Sequence, residues 1–340
     1  MSFQNIIKLH RITAGAISSF IKTHSKVQFT SSQTIDKLLE LSDDRASTAP
    51  DAPLLSHLIE LLPHIPHSTG LVKLINFCAL AQNSYQCNLA WIDTCCIDKT
   101  SSAELDEAIR SMFRWYQNSG ICIIHLADTI VWPSDEKHDP WFTRGWTLQE
   151  LLAPPTLKFY TSEWKECNKT HGGKTIVDWL SEITKVPTND LLHFQPGLNN
   201  IRQRLDWASE RQTTRVEDMA YCLLGIFDIS MTIAYGEGLR AFHRLQQAIM
   251  ERSNDRSLFL WTGKPASVSS MLANEAKCFQ YDYRQIDADT LETSDASSVD
   301  PAFTLTNHGL RIAVSLYSKE QSLNWLKART SDTRYVMETC

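Results

Sequence analysis

A tryptophan and a glutamate four residues apart are the side chains of this sequence best placed to do chemistry together. Trp146 and Glu150 lie in the segment RGWTLQELLAPP, and their spacing puts both on one face of a helix. A carboxylate beside an indole loses water, which raises its pKa unless a cation such as Arg144 offsets the effect. Such a group stabilises the positive charge on a ribose ring as a glycosidic bond breaks, or it binds the sugar hydroxyls. The alternative is a solvated glutamate on an ordinary helix, which periodicity alone favours.

Polar and thiol side chains follow the first of two predicted buried strands. The run LAWID ends at Asp93, and Cys95 and Asp98 come directly after it. Ligands of an open parallel sheet bind outside the carboxyl ends of its strands, so these three residues are candidates for substrate binding. The alternative for the two aspartates is the capping of turns, which is the commoner role of an aspartate in a loop.

The cysteines predict free thiols in a reducing compartment. Their number is nine, which is odd, and no two of them have CxxC spacing. The adjacent pair Cys95 and Cys96 lacks the two well-spaced ligand pairs that a zinc site needs, so no metal site is predicted. Buried thiols are the favoured interpretation of this pair.

Charge and motif content exclude several functional classes. The formal net charge of −6, from 33 basic and 39 acidic residues, gives no broad reason to expect nucleic-acid binding. Neither a GxxxxGK[ST] phosphate loop nor a GxGxxG motif after a strand is present, which disfavours a nucleoside triphosphatase or a Rossmann dehydrogenase, and no cofactor is predicted. No apolar run reaches the length of a transmembrane helix, so a cytoplasmic protein is expected.

The middle of the chain alternates between helical and strand patterns. Ser101 and Glu104 form a capping-box signature at the start of one helix. The predicted elements, in order, are a helix at 71–83, a strand at 89–92, a helix from 102, a strand at 121–128, a helix within 144–155 and a strand at 156–164. This alternation predicts an α/β fold with a parallel sheet and crossover helices.

The region after Trp164 has mainly helical patterns. Helices are predicted at 174–186, at 215–228 with Thr214 and Glu217 as its capping box, and at 239–252. Beyond them, SLFLWTG and a hairpin around Asn307-His308-Gly309 predict a small β-rich extension. The expected divisions are residues 1–69, 70–165, 166–256 and 257–340.

The first 69 residues differ in composition from the rest. No acidic residue precedes Asp36, and basic and apolar residues are interleaved there, which fits an amphipathic helix or, less well, a transit peptide. Residues 42–69 are rich in Ser, Asp, Pro and His and are interpreted as a linker around a short helix.

Four longer blocks carry a family resemblance. WIDTCCIDKTSSAELDEAIRSMFRWY, WFTRGWTLQELLAP, RQTTRVEDMAYCLLGIF and IAYGEG resemble, in this order, the fungal heterokaryon-incompatibility (HET) domain from about Gly70 to Glu251. The resemblance implies a role in triggering cell death on non-self recognition, through protein partners or self-association.

The HET domain is in turn remotely similar to the TIR fold, a flavodoxin-like parallel sheet. In NAD-cleaving TIR enzymes a W-x-x-x-E-L helix carries the catalytic glutamate, and Trp146 to Leu151 matches that pattern. The resemblance therefore implies that Glu150 is catalytic, that Asp93 and Arg144 support the substrate, and that NAD is the substrate. The S-H-T-W-G-like segment that usually opens a HET domain is missing from residues 1–69, although KVQFTS at 26–31 is a candidate for its strand.

Three hypotheses remain open from the sequence. The first is an interaction module for incompatibility without turnover of its own. The second is an NAD-cleaving hydrolase that uses Glu150, and the third is a degenerate, inactive paralogue. The first two predict different outcomes for Glu150→Gln, because only the hydrolase needs this carboxylate to lower cellular NAD. A nucleotide pocket also requires a strand from residues 26–31 at the centre of the sheet, beside the strand at 89–92.

Overall fold

The computed structural model describes residues 69–87, 90–133, 139–167, 174–267, 269–280, 303–306 and 309–312. The predicted amphipathic start, the linker at 42–68 and the candidate strand at 26–31 lie outside these ranges. The α-helices are α1 Thr69–Tyr85, α2 Asp93–Cys96, α3 Ser102–Gln117, α4 Thr147–Leu152, α5 Ile176–Thr184, α6 Thr188–His193, α7 Ile201–Ser209, α8 Asp218–Tyr221, α9 Leu224–Phe227 and α10 Arg240–Met250. Three 3-10 helices span Pro140–Thr143, Arg256–Phe259 and Ala276–Phe279. The strands are β1 Cys122–His125, β2 Leu157–Tyr160, β3 Pro265–Ala266, β4 Ser269–Ala273, β5 Phe303–Thr306 and β6 Gly309–Ile312.

A small parallel sheet lies between the helices. β1 and β2 run parallel, with Cys122 paired to Leu157 and His125 to Tyr160. Both strands fall where the apolar runs predicted them, and α4 lies in the connection between them. The structure therefore confirms a mixed α/β fold with a parallel sheet at this point of the chain.

Helix α3 confirms its start signal and its buried face. The Ser101 hydroxyl accepts a hydrogen bond from the Glu104 backbone N–H at 3.3 Å, as a capping residue does. The buried residues recur at three and four positions along the helix, and they are Ala108, Ile109, Met112 and Phe113. This face packs against α9, the helix that contains Gly225.

The strand predicted at 89–92 does not pair with any described strand. Residues 90–92 belong to no ladder, although Ile92 has an extended backbone with φ −139° and ψ 127° immediately before α2. The extended conformation was predicted by the apolar residues, but a strand also needs a neighbour to satisfy its backbone groups.

The single helix predicted at 215–228 is wrong, since two short helices replace it. α8 and α9 are separated by Cys222 and Leu223, and no side chain caps either helix. The predicted capping residue Glu217 instead accepts hydrogen bonds from the backbone N–H groups of Gly236 and Gly238. Burial on all sides, rather than one apolar stripe, holds the segment in place: Ala220, Tyr221, Cys222, Leu223, Leu224, Ile226 and Phe227 are all buried.

The segment SLFLWTG begins as a 3-10 helix rather than a strand. The Asp255 carboxylate accepts a hydrogen bond from the Ser257 backbone N–H at 2.8 Å and thereby caps this turn. The hairpin around residues 307–308 is confirmed, because β5 and β6 are antiparallel with Thr306 paired to Gly309.

One buried side chain connects the helical part to the strands that follow it. Gln246, on α10, donates to the Ala273 carbonyl at 2.8 Å and accepts from the Ala273 N–H at 3.0 Å. Leu258, Ala273 and Phe279 belong to the same buried cluster as α10. In the ranges that the structure covers, no helix is long and apolar enough to cross a membrane.

Candidate functional site

Glu150 lies on α4, and its indole partner is Trp141 rather than Trp146. The Trp141 Nε1–H donates a hydrogen bond to Glu150 Oε2 at 2.9 Å. Trp141 occupies the 3-10 helix before α4, where the Asp139 carboxylate caps its backbone N–H at 3.0 Å. The Thr147 hydroxyl then donates to the Trp141 carbonyl at 2.6 Å, which joins the two helices. The predicted contact between a carboxylate and an indole exists, but a different tryptophan makes it.

Burial dominates the electrostatics of Glu150. It raises the pKa of this carboxyl group, while the Trp141 N–H lowers the pKa by stabilising the ionised form. The charge of Asp93 raises the pKa further, and the charges of Arg144 and Lys73 lower it. Asp93 and Arg144, both predicted as site residues, are therefore within electrostatic range of Glu150.

Two further titratable groups surround Glu150, and the sequence did not indicate either. Burial, followed by the charge of Glu150, raises the pKa of the Tyr116 phenol and of the Cys122 thiol well above their usual ranges. Both groups therefore stay neutral around pH 7. The surroundings of Glu150 provide hydrogen-bonding groups, but neither of these two side chains is an activated nucleophile.

Trp146 does not supply the indole hydrogen bond to Glu150, although it packs on the same small cluster as Tyr116. It packs on a small cluster formed by Ile97, Ala108 and Met112, to which Trp91 also belongs. Its side chain lowers the pKa of Asp218 through a hydrogen bond, against the stronger effect of burial, which raises it. Helix α4 begins at Thr147, so Trp146 occupies its N-cap position rather than a position within the helix.

The remaining predicted residues are spread along the loop after the expected strand. Asp93 begins α2 and forms an ion pair with Lys99 at 3.8 Å. Cys95 lies within α2. Asp98 accepts hydrogen bonds from the Thr100 backbone N–H at 2.9 Å and from its hydroxyl at 2.6 Å, which are the contacts of a turn cap. The structure thus brings Asp93 toward Glu150 and gives Asp98 a local partner.

The blocks WFTRGWTLQELLAP and RQTTRVEDMAYCLLGIF meet through their backbones. Gly145 donates to the Gln212 carbonyl at 2.8 Å, and Gln212 donates to the Thr143 carbonyl at 2.6 Å. A Cβ atom on Gly145 would lie 2.5 Å from Thr213 Cγ2, so the glycine permits this close approach. Behind it, the buried Arg211 donates to the Arg144 carbonyl and to the Thr147 hydroxyl, each at 2.9 Å.

The YGEG turn completes this contact. Glu217 Oε1 accepts from the N–H groups of Gly236 and Gly238 at 2.9 and 3.0 Å, and both glycines have positive φ, at +100° and +63°. The Tyr235 hydroxyl donates to Asp218 Oδ1 at 2.8 Å. We call this set the motif junction: Gly145, Gln212, Glu217, Asp218 and Tyr235–Gly238. The sequence indicated no more than a turn at YGEG, because its partner is 19 residues away.

Glu150→Gln is expected to gain stability relative to wild type as the pH rises from 4 to 7. Burial raises the pKa of Glu150 above its ordinary value of 4.5, so ionisation of the folded protein costs free energy that glutamine does not incur. The stability that Glu150 contributes is complete below pH 4.5 and is lost as the pH rises through its folded pKa. Urea unfolding of both proteins across this pH range measures the difference.

Asp178→Asn provides a control of opposite sign. Hydrogen bonds from Thr175 lower the pKa of Asp178 below its ordinary value of 3.8 in the capping box of α5, so the asparagine variant should lose stability relative to wild type as the pH rises through the acid range up to and just past 3.8, where this control is measured. A Glu150→Gln difference that runs in the same direction as Asp178→Asn would show that the ionised Glu150 is stabilised, contrary to the burial argument.

Comparison with known proteins identified a similar protein for about half of the chain and a matching family for a shorter segment. The chain is 40% identical over 170 residues to the vegetative incompatibility protein HET-E-1 of Podospora anserina, a match that covers 47% of this chain and 12% of that protein. This chain therefore spans a small part of the length of that relative. Residues 240–303 match a family described as a domain of unknown function (DUF8212). No solved structure matches the chain significantly. In the ranges that the structure covers, no group of three or more His, Cys, Asp or Glu side chains is placed to hold a metal ion.

Proposed function

We propose that this chain is a module of fungal vegetative (heterokaryon) incompatibility that contributes to non-self recognition and cell-death signalling in the cytoplasm. The observation that carries the proposal is the 40% identity over 170 residues with a vegetative incompatibility protein. The module acts through protein partners or self-association rather than through turnover of a substrate.

The motif junction supports this proposal. The sequence blocks that resemble the HET domain are up to about 90 residues apart, yet they share backbone hydrogen bonds through Gly145 and Gln212 and side-chain hydrogen bonds through Glu217. A network in which glycines permit close backbone contact and a buried glutamate fixes a turn holds the blocks in a single arrangement. We infer that these blocks act as one structural unit presented to a partner.

The contacts of Glu150 fit a structural role. Burial raises the pKa of Glu150, so ionisation of this carboxyl group costs more free energy than it does in water. Its Oε2 already accepts the Trp141 N–H, so it joins the 3-10 helix to α4. In this proposal Glu150 is a positioning residue of the fold.

A second candidate function is the cleavage of NAD in the manner of TIR enzymes. Its support is the shifted pKa of Glu150, within range of the opposite charges of Asp93 and Arg144, because perturbed pKa values are enriched at functional sites. In this candidate Glu150 is the catalytic residue, Trp146, Arg144, Asp93, Cys95 and Asp98 support the substrate, and the fold is the TIR-like sheet.

Induced expression in a filamentous fungus tests the proposed function. The wild-type chain is expected to reduce the viability of cells, or of fusions between strains that differ in their incompatibility alleles. Glu217→Leu, which removes the acceptor of Gly236 and Gly238, should abolish this effect, whereas the exposed Glu182→Leu should leave it intact. Light scattering of the purified proteins monitors self-association. Wild-type protein that accumulates folded without any loss of viability, alone or in fusions, would contradict the proposal.

A further inference from the structure

A groove lies between helix α1 and the turn that follows β2, away from the site around Glu150. Its volume is about 410 Å³. One wall is a face of α1 and the other is the turn, and the lining residues are Asn76, Ala79, Leu80, Asn83, Ser84, Glu163 and Trp164. We call it the indole groove. None of these residues belongs to the motif junction or to the groups described around Glu150.

The groove lies at the carboxyl ends of both parallel strands. His125 is the last residue of β1, Tyr160 is the last residue of β2, and Trp164 follows four residues later. The Trp164 ring stacks on the His125 ring at 4.3 Å between centroids. The Tyr160 hydroxyl is hydrogen-bonded to the Tyr85 hydroxyl at 2.5 Å, which holds the end of α1 against β2. Ligands of α/β proteins bind at this end of a parallel sheet.

The backbone of Trp164 is held in an unfavourable conformation. Its φ is +59°, in the left-handed region that bulky residues rarely adopt. Such a conformation is unfavourable and is concentrated at ligand-binding and functional sites. The conformation places one face of the indole on His125 and makes the side chain part of the groove wall.

We propose that the indole groove binds the base of a nucleoside or nucleotide. An indole face stacks on any nucleobase, because every base has a π-face. Asn76 and Asn83 lie seven residues apart on the same face of α1, and both line the groove. A carboxamide presents a donor beside an acceptor, which matches the paired donor and acceptor of a base edge. Glu163, whose Oε2 is ion-paired with Lys165 at 2.6 Å, adds a second carboxylate oxygen as an acceptor for exocyclic amino groups.

The ring that stacks on the Trp164 indole is the imidazole of His125. Burial lowers the pKa of His125, and the charge of Lys73 lowers it further, against a raising effect of its hydrogen bond to the Ser162 carbonyl. His125 is therefore neutral at pH 7, and the indole is stacked on an uncharged ring.

Isothermal titration of the purified chain with adenosine, guanosine and uridine tests the proposal, with glucose as a non-aromatic comparator. At least one nucleoside is expected to bind with a dissociation constant below about 1 mM, and glucose is not. Trp164→Asn should weaken binding at least about tenfold, because asparagine tolerates the left-handed backbone but supplies no aromatic face. Trp179→Leu, which removes a partly buried indole on α5, is the matched control and should bind as wild type does.

Asn83→Leu is an independent test of the groove. Asn83 is exposed on α1, so this variant is expected to fold. It should also weaken binding about tenfold. Absence of binding for all three nucleosides up to about 10 mM would overturn the proposal. Binding that Trp164→Asn and Asn83→Leu leave unchanged, or glucose binding that both abolish, would overturn it as well. These outcomes are independent of the viability assay, so the groove and the incompatibility role can fail separately.

Discussion

Gly225→Ala is expected to lower the free energy of unfolding by about 2–3 kcal/mol, the upper part of the range of about 1–3 kcal/mol for overpacking a well-packed core. Gly225 lies in α9, where the helix rests directly on α3. A Cβ atom added there would lie 2.1 Å from Phe113 Cβ and 2.5 Å from Phe113 Cγ. These are the root atoms of a side chain that is itself buried, so they move only if the two helices separate.

The sign of this effect distinguishes packing from helix propensity. Alanine in a helix is more favourable than glycine by about 1 kcal/mol, so propensity alone predicts that Gly225→Ala stabilises the protein. Gly120→Ala is the matched control, because a Cβ atom at Gly120 meets nothing within 4 Å. Urea unfolding of both variants measures the difference, and a Gly225→Ala variant as stable as Gly120→Ala would show that α9 does not pack on α3 at this distance.

Arg204→Met is expected to lower the free energy of unfolding by about 3 kcal/mol, since each buried acceptor left unpaired costs about 1–3 kcal/mol. The Arg204 guanidinium donates at 2.8 Å to the carbonyl oxygens of Gly197, Ile226 and Gln195. The Ile226 oxygen keeps the Gly197 N–H at 3.1 Å, so the loss falls on the carbonyls of Gly197 and Gln195. The guanidinium also lies over the Phe194 ring, 4.7 Å from the centroid. Burial lowers the pKa of this group, which is a cost that methionine removes, so the estimate is a net value.

Lysine at this position should restore only part of the stability. A lysine ammonium is a single point of charge on a flexible stem and does not reproduce three donors in a planar fork. Arg240→Met, at an exposed position on α10, is the control and should change stability by less than about 0.5 kcal/mol. If thermal unfolding ranks Arg204→Met with Arg240→Met, the three carbonyl contacts contribute nothing to stability.

Local patterns predicted the elements whose partners are near in sequence. The Ser101 cap, the buried face of α3 and the runs that became β1 and β2 depend on side chains within a few residues of one another, so periodicity and capping rules were sufficient. The segment 215–228 was mispredicted for the converse reason. Its Glu217 is fixed by glycines 19 and 21 residues later, and a capping-box signature cannot exclude such a partner.

In the candidate site, too, local patterns predicted some features, while others depend on packing between distant segments. The sequence identified Glu150 and predicted that an indole would lie beside it. It selected Trp146 because four residues is a helical spacing, whereas the hydrogen bond comes from Trp141 through the 3-10 helix that precedes α4. Tyr116 and Cys122 approach Glu150 only through the packing of α3 and β1, for which the sequence contains no local signal.

The most direct test of the proposed function is the measurement of total NAD and viability in fungal cells that express the wild-type chain or Glu150→Gln. Glutamine retains an oxygen that can accept the Trp141 N–H, so this variant is expected to remain folded. If the chain acts as an incompatibility module through partners, both proteins should reduce viability to the same extent. The NAD content should not fall before viability does. Early loss of NAD with the wild type, together with normal NAD and viability with Glu150→Gln, would contradict this function and establish Glu150 as catalytic.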